Sequence, residues 1–226
     1  MISRVRFVQC GLFLALLIIA AACTVFPVAQ EEPPPCFDDT TLFIDSFAAE
    51  APCGWALYEG GESAEIVDGV LRLTAATNGL IAWSNPGKSF TDSEITVQTR
   101  QLTGPNDNAY GVICRYFDDQ NFYIFLISGD GYYAIGKYQS GISQIQYLTG
   151  TPPDHYVQSD AISQGASLNQ LRVRCVGNRL SMYANGTLLT EVEDSTFTSG
   201  DIGVAAGVFE AGRLVVEFDN VQVTNP

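Results

Sequence analysis

The chain has 226 residues, with 25 acidic against 11 basic side chains and a formal charge of −14, so nucleic acid and anionic lipid head groups are poor electrostatic partners. Its single histidine and six cysteines, with no Cys-x-x-Cys among them, offer neither a zinc cluster nor a thioredoxin-like redox motif. No long stretch carries the period of an amphipathic helix, which leaves an all-β chain.

The first residues read as an address. Arg4 and Arg6 form a positive start, Val8 to Ala22 an apolar run, and Ala20-Ala21-Ala22-Cys23 a small-residue cleavage site, so residues 1–22 are predicted to be a signal peptide. A cysteine directly after small residues resembles the lipobox of bacterial lipoproteins, although Ala20 stands where that pattern usually has leucine. The resemblance implies acylation of Cys23. Residues 23–35 then supply a tether, with two glutamates and three consecutive prolines that favour an extended chain. The domain over residues 36–226 is thereby expected outside the cytoplasm, at the cell surface, meeting the membrane only through its lipid anchor.

Strand-like segments come next in order. Leu42 to Phe47 opens the domain and Leu214 to Val223 closes it, two segments that would bring its ends together. Asp68-Gly69, Gly177-Asn178 and Asn185-Gly186 each separate apolar runs with residues suited to tight hairpin turns. Further strands are predicted at Leu80 to Trp83, Glu94 to Gln101, Ile145 to Leu148 and Ile202 to Phe209.

The densest signal is Ala109 to Tyr138, three aromatic and β-branched segments parted by short turns. In its middle strand both alternating sets are apolar, Phe122/Ile124/Leu126 and Tyr123/Phe125/Ile127, so the strand is covered on both faces or lines a groove. If Ile127 pairs with Tyr132 across a four-residue turn, then Tyr123, Phe125, Tyr132, Ala134, Gly136 and Tyr138 share the groove face, and Phe122, Ile124, Leu126, Tyr133 and Ile135 the core face.

With Cys23 assigned to lipid and Cys10 to the signal peptide, four cysteines remain, an even number in an oxidising compartment. They allow three pairings. The favoured one joins Cys36 to Cys53, which flank the first strand, and Cys114 to Cys175, both inside strands.

Leu-Phe-x-Asp-x-Phe at 42–47, Gly54-Trp55, the Asp68-Gly69 hairpin, Tyr110-Gly111, Arg115, Asn121-Phe122-Tyr123, Asn185-Gly186, Gly200-x-x-Gly203 and Phe218-Asp219-Asn220-Val221 together resemble the concanavalin A-like (laminin G-like) jelly rolls. Within these the chain is most similar to the branch holding the 3-keto-disaccharide hydrolase (DUF1080) domains and the sandwich domain of exo-inulinases. The resemblance implies a β-sandwich of two antiparallel sheets. It also implies calcium near the terminal strands, with Asp45 and Asp219 as the candidate ligands.

Glycoside hydrolysis needs two placed carboxylates. The Glu-x-Asp-x-x-Glu spacing of laminarinase-like members is absent; Glu62, Glu65 and Asp68 come nearest, and Asp68 is needed for a turn. Glu191, Glu193 and Asp194 read as a solvated strand edge. His155 falls in the loop 151–160, with no Gly-x-Ser-x-Gly to serve. No catalytic residue is therefore assigned. Arg115 and Arg174 each adjoin a paired cysteine, so if the cysteines point inward the guanidinium groups point out. The candidate ligand contacts are Arg115, Tyr123, Phe125, Tyr132 and Arg174, planar donors beside aromatic platforms suited to a glycan. The alternative for the arginines is pairing with Asp118 or Asp119. The chain is thus read as a non-catalytic carbohydrate-binding lipoprotein, with a hydrolase like the 3-keto-disaccharide enzymes and a structural or protein-binding domain as alternatives.

Overall fold

The computed structural model describes residues 36–37, 41–48 and 53–226. The predicted signal peptide, the tether and the lipidation site Cys23 lie outside the described residues. In chain order the strands are β1 (Phe43–Asp45), β2 (Ser63–Val67), β3 (Val70–Ala75), β4 (Ile81–Ser84), β5 (Ser89–Phe90), β6 (Ser93–Thr103), β7 (Asn108–Asp118) and β8 (Asn121–Ile127). They continue as β9 (Tyr132–Tyr138), β10 (Gln146–Tyr147), β11 (Val157–Gln158), β12 (Asn169–Val176), β13 (Arg179–Ala184), β14 (Thr187–Glu193), β15 (Gly200–Val208) and β16 (Leu214–Thr224). No helix occurs among the described residues.

Two antiparallel sheets face each other. Sheet A runs β14-β13-β12-β6-β16-β3-β2, with β1 paired to β16; sheet B runs β10-β9-β8-β7-β15-β4, with β11 paired to β9 and β5 to β15. Phe43 opposite Val223 closes the first strand onto the last, as the sequence led one to expect. Alternation does the sorting: in β6 Ile95 and Val97 face the other sheet while Glu94 and Thr96 face out. Asp68-Gly69 and Asn185-Gly186 adopt positive φ at both residues, the geometry that suits a two-residue hairpin to the twist of its strands.

Both expected disulfides are present. Cys36 and Cys53 stand 5.6 Å apart between Cα atoms. Cys114 on β7 and Cys175 on β12 stand 6.9 Å apart and join the two sheets through the core. Because this pair spans 61 residues, it stabilises the fold by about 2–4 kcal/mol, largely by restricting the unfolded chain.

The central hairpin departs from the expected register. The turn after β8 is a three-residue loop, Gly129-Asp130-Gly131, closed by Ser128 N–H donating to the Tyr132 carbonyl at 2.9 Å, with Gly131 at φ 93°. A left-handed residue ending a tight turn adds one residue to the second strand. Ile127 therefore opposes Tyr133, and Phe125 opposes Ile135. One step moves every side chain of one strand relative to its partner. Tyr123, Phe125, Ile127, Tyr133 and Ile135 lie between the sheets, whereas Phe122, Ile124 and Leu126 lie on the outer face of sheet B with Tyr132, Ala134, Gly136 and Tyr138.

Candidate functional site

The outer face of sheet B is built from small and aromatic residues. Ala205, Gly111 and Ala134 occupy adjacent strands in one row with Leu126 among them, a flat floor. Phe122 is nevertheless fully buried, because Trp83, Tyr116 and Tyr138 close around its ring at 5.9, 5.5 and 4.7 Å between centroids. The segment after β9 extends the sheet edge through β10 and β11, and the side chains of its Ile145, Tyr147 and Tyr156 form a roof over part of the rest. A Cβ on Gly136 would come within 2.5 Å of the Ile145 side chain, so only glycine lets the roof lie directly on β9. Tyr156 descends onto the cluster of Ala109, Ile124 and Leu126. Its hydroxyl is shut off from solvent and makes no hydrogen bond of ordinary geometry.

At the margin of that roof lies a pocket of about 430 Å³. Its walls are rings: Tyr147 meets Tyr156 edge to face at 5.6 Å, Tyr156 meets Phe209 in the same way at 5.9 Å, and His155 stacks on Tyr147 at 4.8 Å. Tyr132, Asp107 and Asp130 line it as well. The Gly129–Gly131 turn that carries Asp130 is held from behind by Asn108, whose Oδ1 accepts the Gly129 N–H at 3.0 Å while its Nδ2 donates to Gln101 at 2.7 Å. Ser128 donates its hydroxyl to one oxygen of Asp130. Burial pushes the phenols of Tyr147 and Tyr156 up, and that of Tyr138 up to about 12. They therefore remain protonated and act as neutral donors and acceptors.

A second groove, of about 660 Å³, opens across β4, β15 and the end of β7 and is lined by Trp83, Tyr116, Tyr58, Glu62 and Asp201. Its polar groups are committed to structure. Asp201 accepts the Gly87, Lys88 and Ile202 N–H groups at 2.7, 2.8 and 2.8 Å, yet burial still holds its carboxyl above the usual range. Glu62 accepts the Thr77 N–H at 3.0 Å. The Tyr58 hydroxyl donates to the Trp83 carbonyl at 3.0 Å.

Of the five sequence-predicted contacts, Tyr132 alone reaches the pocket. Tyr123 and Phe125 are fully buried between the sheets, a correction that stems from the one-residue register step. Arg115 is a second correction. It sits at φ 53° in a bulge where β7 slips against both neighbours, which turns its side chain inward beside Cys114 instead of outward. There its guanidinium donates to the carbonyls of Gly177 and Phe197 at 2.8 Å, to that of Thr91 at 3.3 Å, and to Asp92 at 3.2 Å. It is a clamp for the ends of three loops; neither Asp118 nor Asp119 is its partner. Arg174 does point outward, but from sheet A, where it pairs with Glu94 at 3.1 Å. Arg115 and Arg174 therefore never share a face.

Asp194 corrects the solvated-edge reading. Lys137, buried on the inner side of β9, donates to it at 2.6 Å, and the Tyr123 hydroxyl donates to its other oxygen at 2.5 Å. Burial works against this carboxylate, but these donors outweigh it and hold its pKa down at about 2. Asp45, expected as a calcium ligand, instead accepts N–H groups from Phe47, Cys53 and Trp55 at 2.7, 3.3 and 3.0 Å. Lone pairs filled by N–H donors do not form a cation cage. Asp219 accepts its neighbour's N–H at 2.7 Å, and among the described residues no group of three or more metal-ligating side chains comes together.

Sequence reasoning missed Asp107, Asp130, Tyr147, His155, Tyr156 and Phe209. They come from five separate loops or strand ends, so no spacing unites them. The one available signal was the tyrosine and proline content of the segment 147–156.

No family model and no curated protein matches the sequence. Solved structures do match in fold. The carbohydrate-binding module CBM66 from Bacillus subtilis superimposes with a TM-score of 0.60 at 16% identity, over 84% of this chain and 99% of that one. A Bacillus subtilis protein of unknown function with a galectin-like fold gives 0.59 at 12%, over 82% and 96%. The Bacillus licheniformis β-glucanase gives 0.58 at 12%, over 81% and 98%. At such identities the likeness is one of architecture. The described domain is a concanavalin A-like, galectin-like jelly roll.

Proposed function

We infer that the chain is a non-catalytic glycan-binding module held at the cell surface by acyl groups on Cys23. The observation that carries the reading is the pocket beside the roof of sheet B. Its ring walls offer flat faces for a sugar, while Asp107, Asp130, His155 and Tyr132 offer hydrogen-bonding groups at its rim. The fold neighbours include proteins named for carbohydrate binding and for glycan cleavage, which supports the class of ligand. The test is a glycan array followed by turnover assays on the hits. Binding without turnover, abolished by Tyr132→Ala with Tyr147→Ala in a protein that still folds, is the expected result. An array without hits, or hits indifferent to that double variant, overturns the reading.

A hydrolase is the second reading, favoured by one observation: two carboxylates, Asp107 and Asp130, line one pocket. Carboxylate pairs are what glycoside cleavage requires. Turnover lost in Asp107→Asn or Asp130→Asn would replace the module with the enzyme. The location is tested separately by mass spectrometry of the mature N-terminus, expected to be an acylated Cys23; any other terminus removes the lipoprotein claim.

A further inference from the structure

The chemistry of the pocket narrows the ligand further. Asp107 and Asp130 line it, and no lysine or arginine does. The Asp107 carboxylate and the second oxygen of Asp130 accept no hydrogen bond from the described residues. Two such carboxylates in a chain of formal charge −14 repel an acidic sugar and attract a cation. Tyr156 meets both Tyr147 and Phe209 edge to face, and all three rings line the pocket. Ring faces carry negative charge density and favour an ammonium group over a neutral one. A bare metal ion is the poorer occupant, since two carboxylates do not supply the six or more oxygens of a calcium site, and no third metal-ligating side chain joins them among the described residues.

We propose that the sugar taken by this pocket bears a protonated amine: the ligand is an aminoglycan with free amino groups, its ammonium set between Asp107 and Asp130 and its ring against Tyr147 and Phe209. The proposal rests on the glycan-binding reading above and deepens it. The ammonium donates its N–H groups to the two carboxylates, and the Tyr147 hydroxyl is left for the sugar hydroxyls.

The test is calorimetry on the full-length protein with two probes, a β-1,4-glucosamine tetrasaccharide and the same tetrasaccharide N-acetylated. Acetylation removes the charge and leaves the ring. The free amine form is expected to bind about tenfold or more tightly, and its advantage is expected to shrink as added salt brings the Debye length below about 10 Å. Asp107→Asn with Asp130→Asn should bring the two probes to within about threefold of each other without abolishing binding. Equal or tighter binding of the acetylated probe overturns the amine proposal while leaving the glycan reading intact. Spermidine, a cation without a ring, binding as tightly as the glucosamine probe would also overturn it. If neither tetrasaccharide nor any array glycan binds, the glycan reading itself fails.

Discussion

The two outer faces of the sandwich handle their side chains in opposite ways. On sheet A the charges neutralise one another across strands. Arg72 and Arg100 both reach Glu217 at 2.9 Å, Arg172 and Arg174 both reach Glu94 at 3.6 and 3.1 Å, and Arg179 reaches Glu191 at 3.4 Å. Arg172 also lies 3.7 Å over the ring of Tyr183. Every arginine of that face thus has a carboxylate, and little is left to recognise a ligand. On sheet B the face is apolar and roofed, and the carboxylates at its margin have no cationic partner among the described residues. Charge satisfied within the protein marks the structural face, and charge left unsatisfied beside rings marks the face that meets a ligand.

The largest expected break in that comparison comes from removing the roof. Tyr156→Ala should cost about 3 kcal/mol by opening a cavity over Ile124 and Leu126, measured as a loss in chemical denaturation. Tyr156→Phe should stay within about 0.5 kcal/mol of the parent, because the hydroxyl it removes has no hydrogen-bond partner of ordinary geometry. A large loss in the phenylalanine variant would mean that the hydroxyl is anchored after all.

Sheet A carries a carboxyl that should make stability respond to acid. Burial acts to raise the Glu217 pKa, but the hydrogen bonds from Arg72 and Arg100 outweigh it and hold the carboxyl below the usual glutamate range. A carboxyl depressed on folding contributes stability above its unfolded pKa and loses it as pH falls through the folded value. Denaturation midpoints should therefore drop as pH falls below the ordinary glutamate range, and Glu217→Gln should flatten that part of the curve. At neutral pH the same variant should cost about 1–3 kcal/mol, because it weakens the three charge-assisted bonds that Arg72 and Arg100 make to a buried group.

The contrast also explains how much the sequence disclosed. Asp68-Gly69 and Asn185-Gly186 act locally through their own backbone angles, and Cys114 with Cys175 could be paired by counting. The jelly roll was legible from such signals. Arg115 and the β9 register were illegible for the same reason as each other: a single left-handed residue, Arg115 or Gly131, inverts the inward–outward parity of the strand residues beyond it. The pocket was illegible because Asp107, Asp130 and Phe209 are brought together only by the pairing of β7, β8 and β15, and Tyr147 joins them only where β10 pairs with β9. Tyr132 keeps the face expected for it, because the count within β9, with Ala134 and Gly136 on its side, does not depend on the turn.

A smaller effect sharpens the comparison from the other side. Arg174→Ala should change stability by no more than about 1 kcal/mol, since its ion pair with Glu94 is partly exposed. It should leave glycan affinity unchanged. A fall in affinity would place part of the ligand on sheet A.

The central claim, that the margin of sheet B and not the face of sheet A meets the glycan, is tested most directly by mapping amide shifts in a ¹H–¹⁵N spectrum as an array-selected glycan is titrated in. The shifted amides are expected to gather at Asp107, Asp130, Tyr132, Tyr147 and His155, with Glu94, Arg172 and Arg174 unmoved. Shifts gathered along Arg172, Arg174 and Tyr183, with the pocket silent, would contradict it.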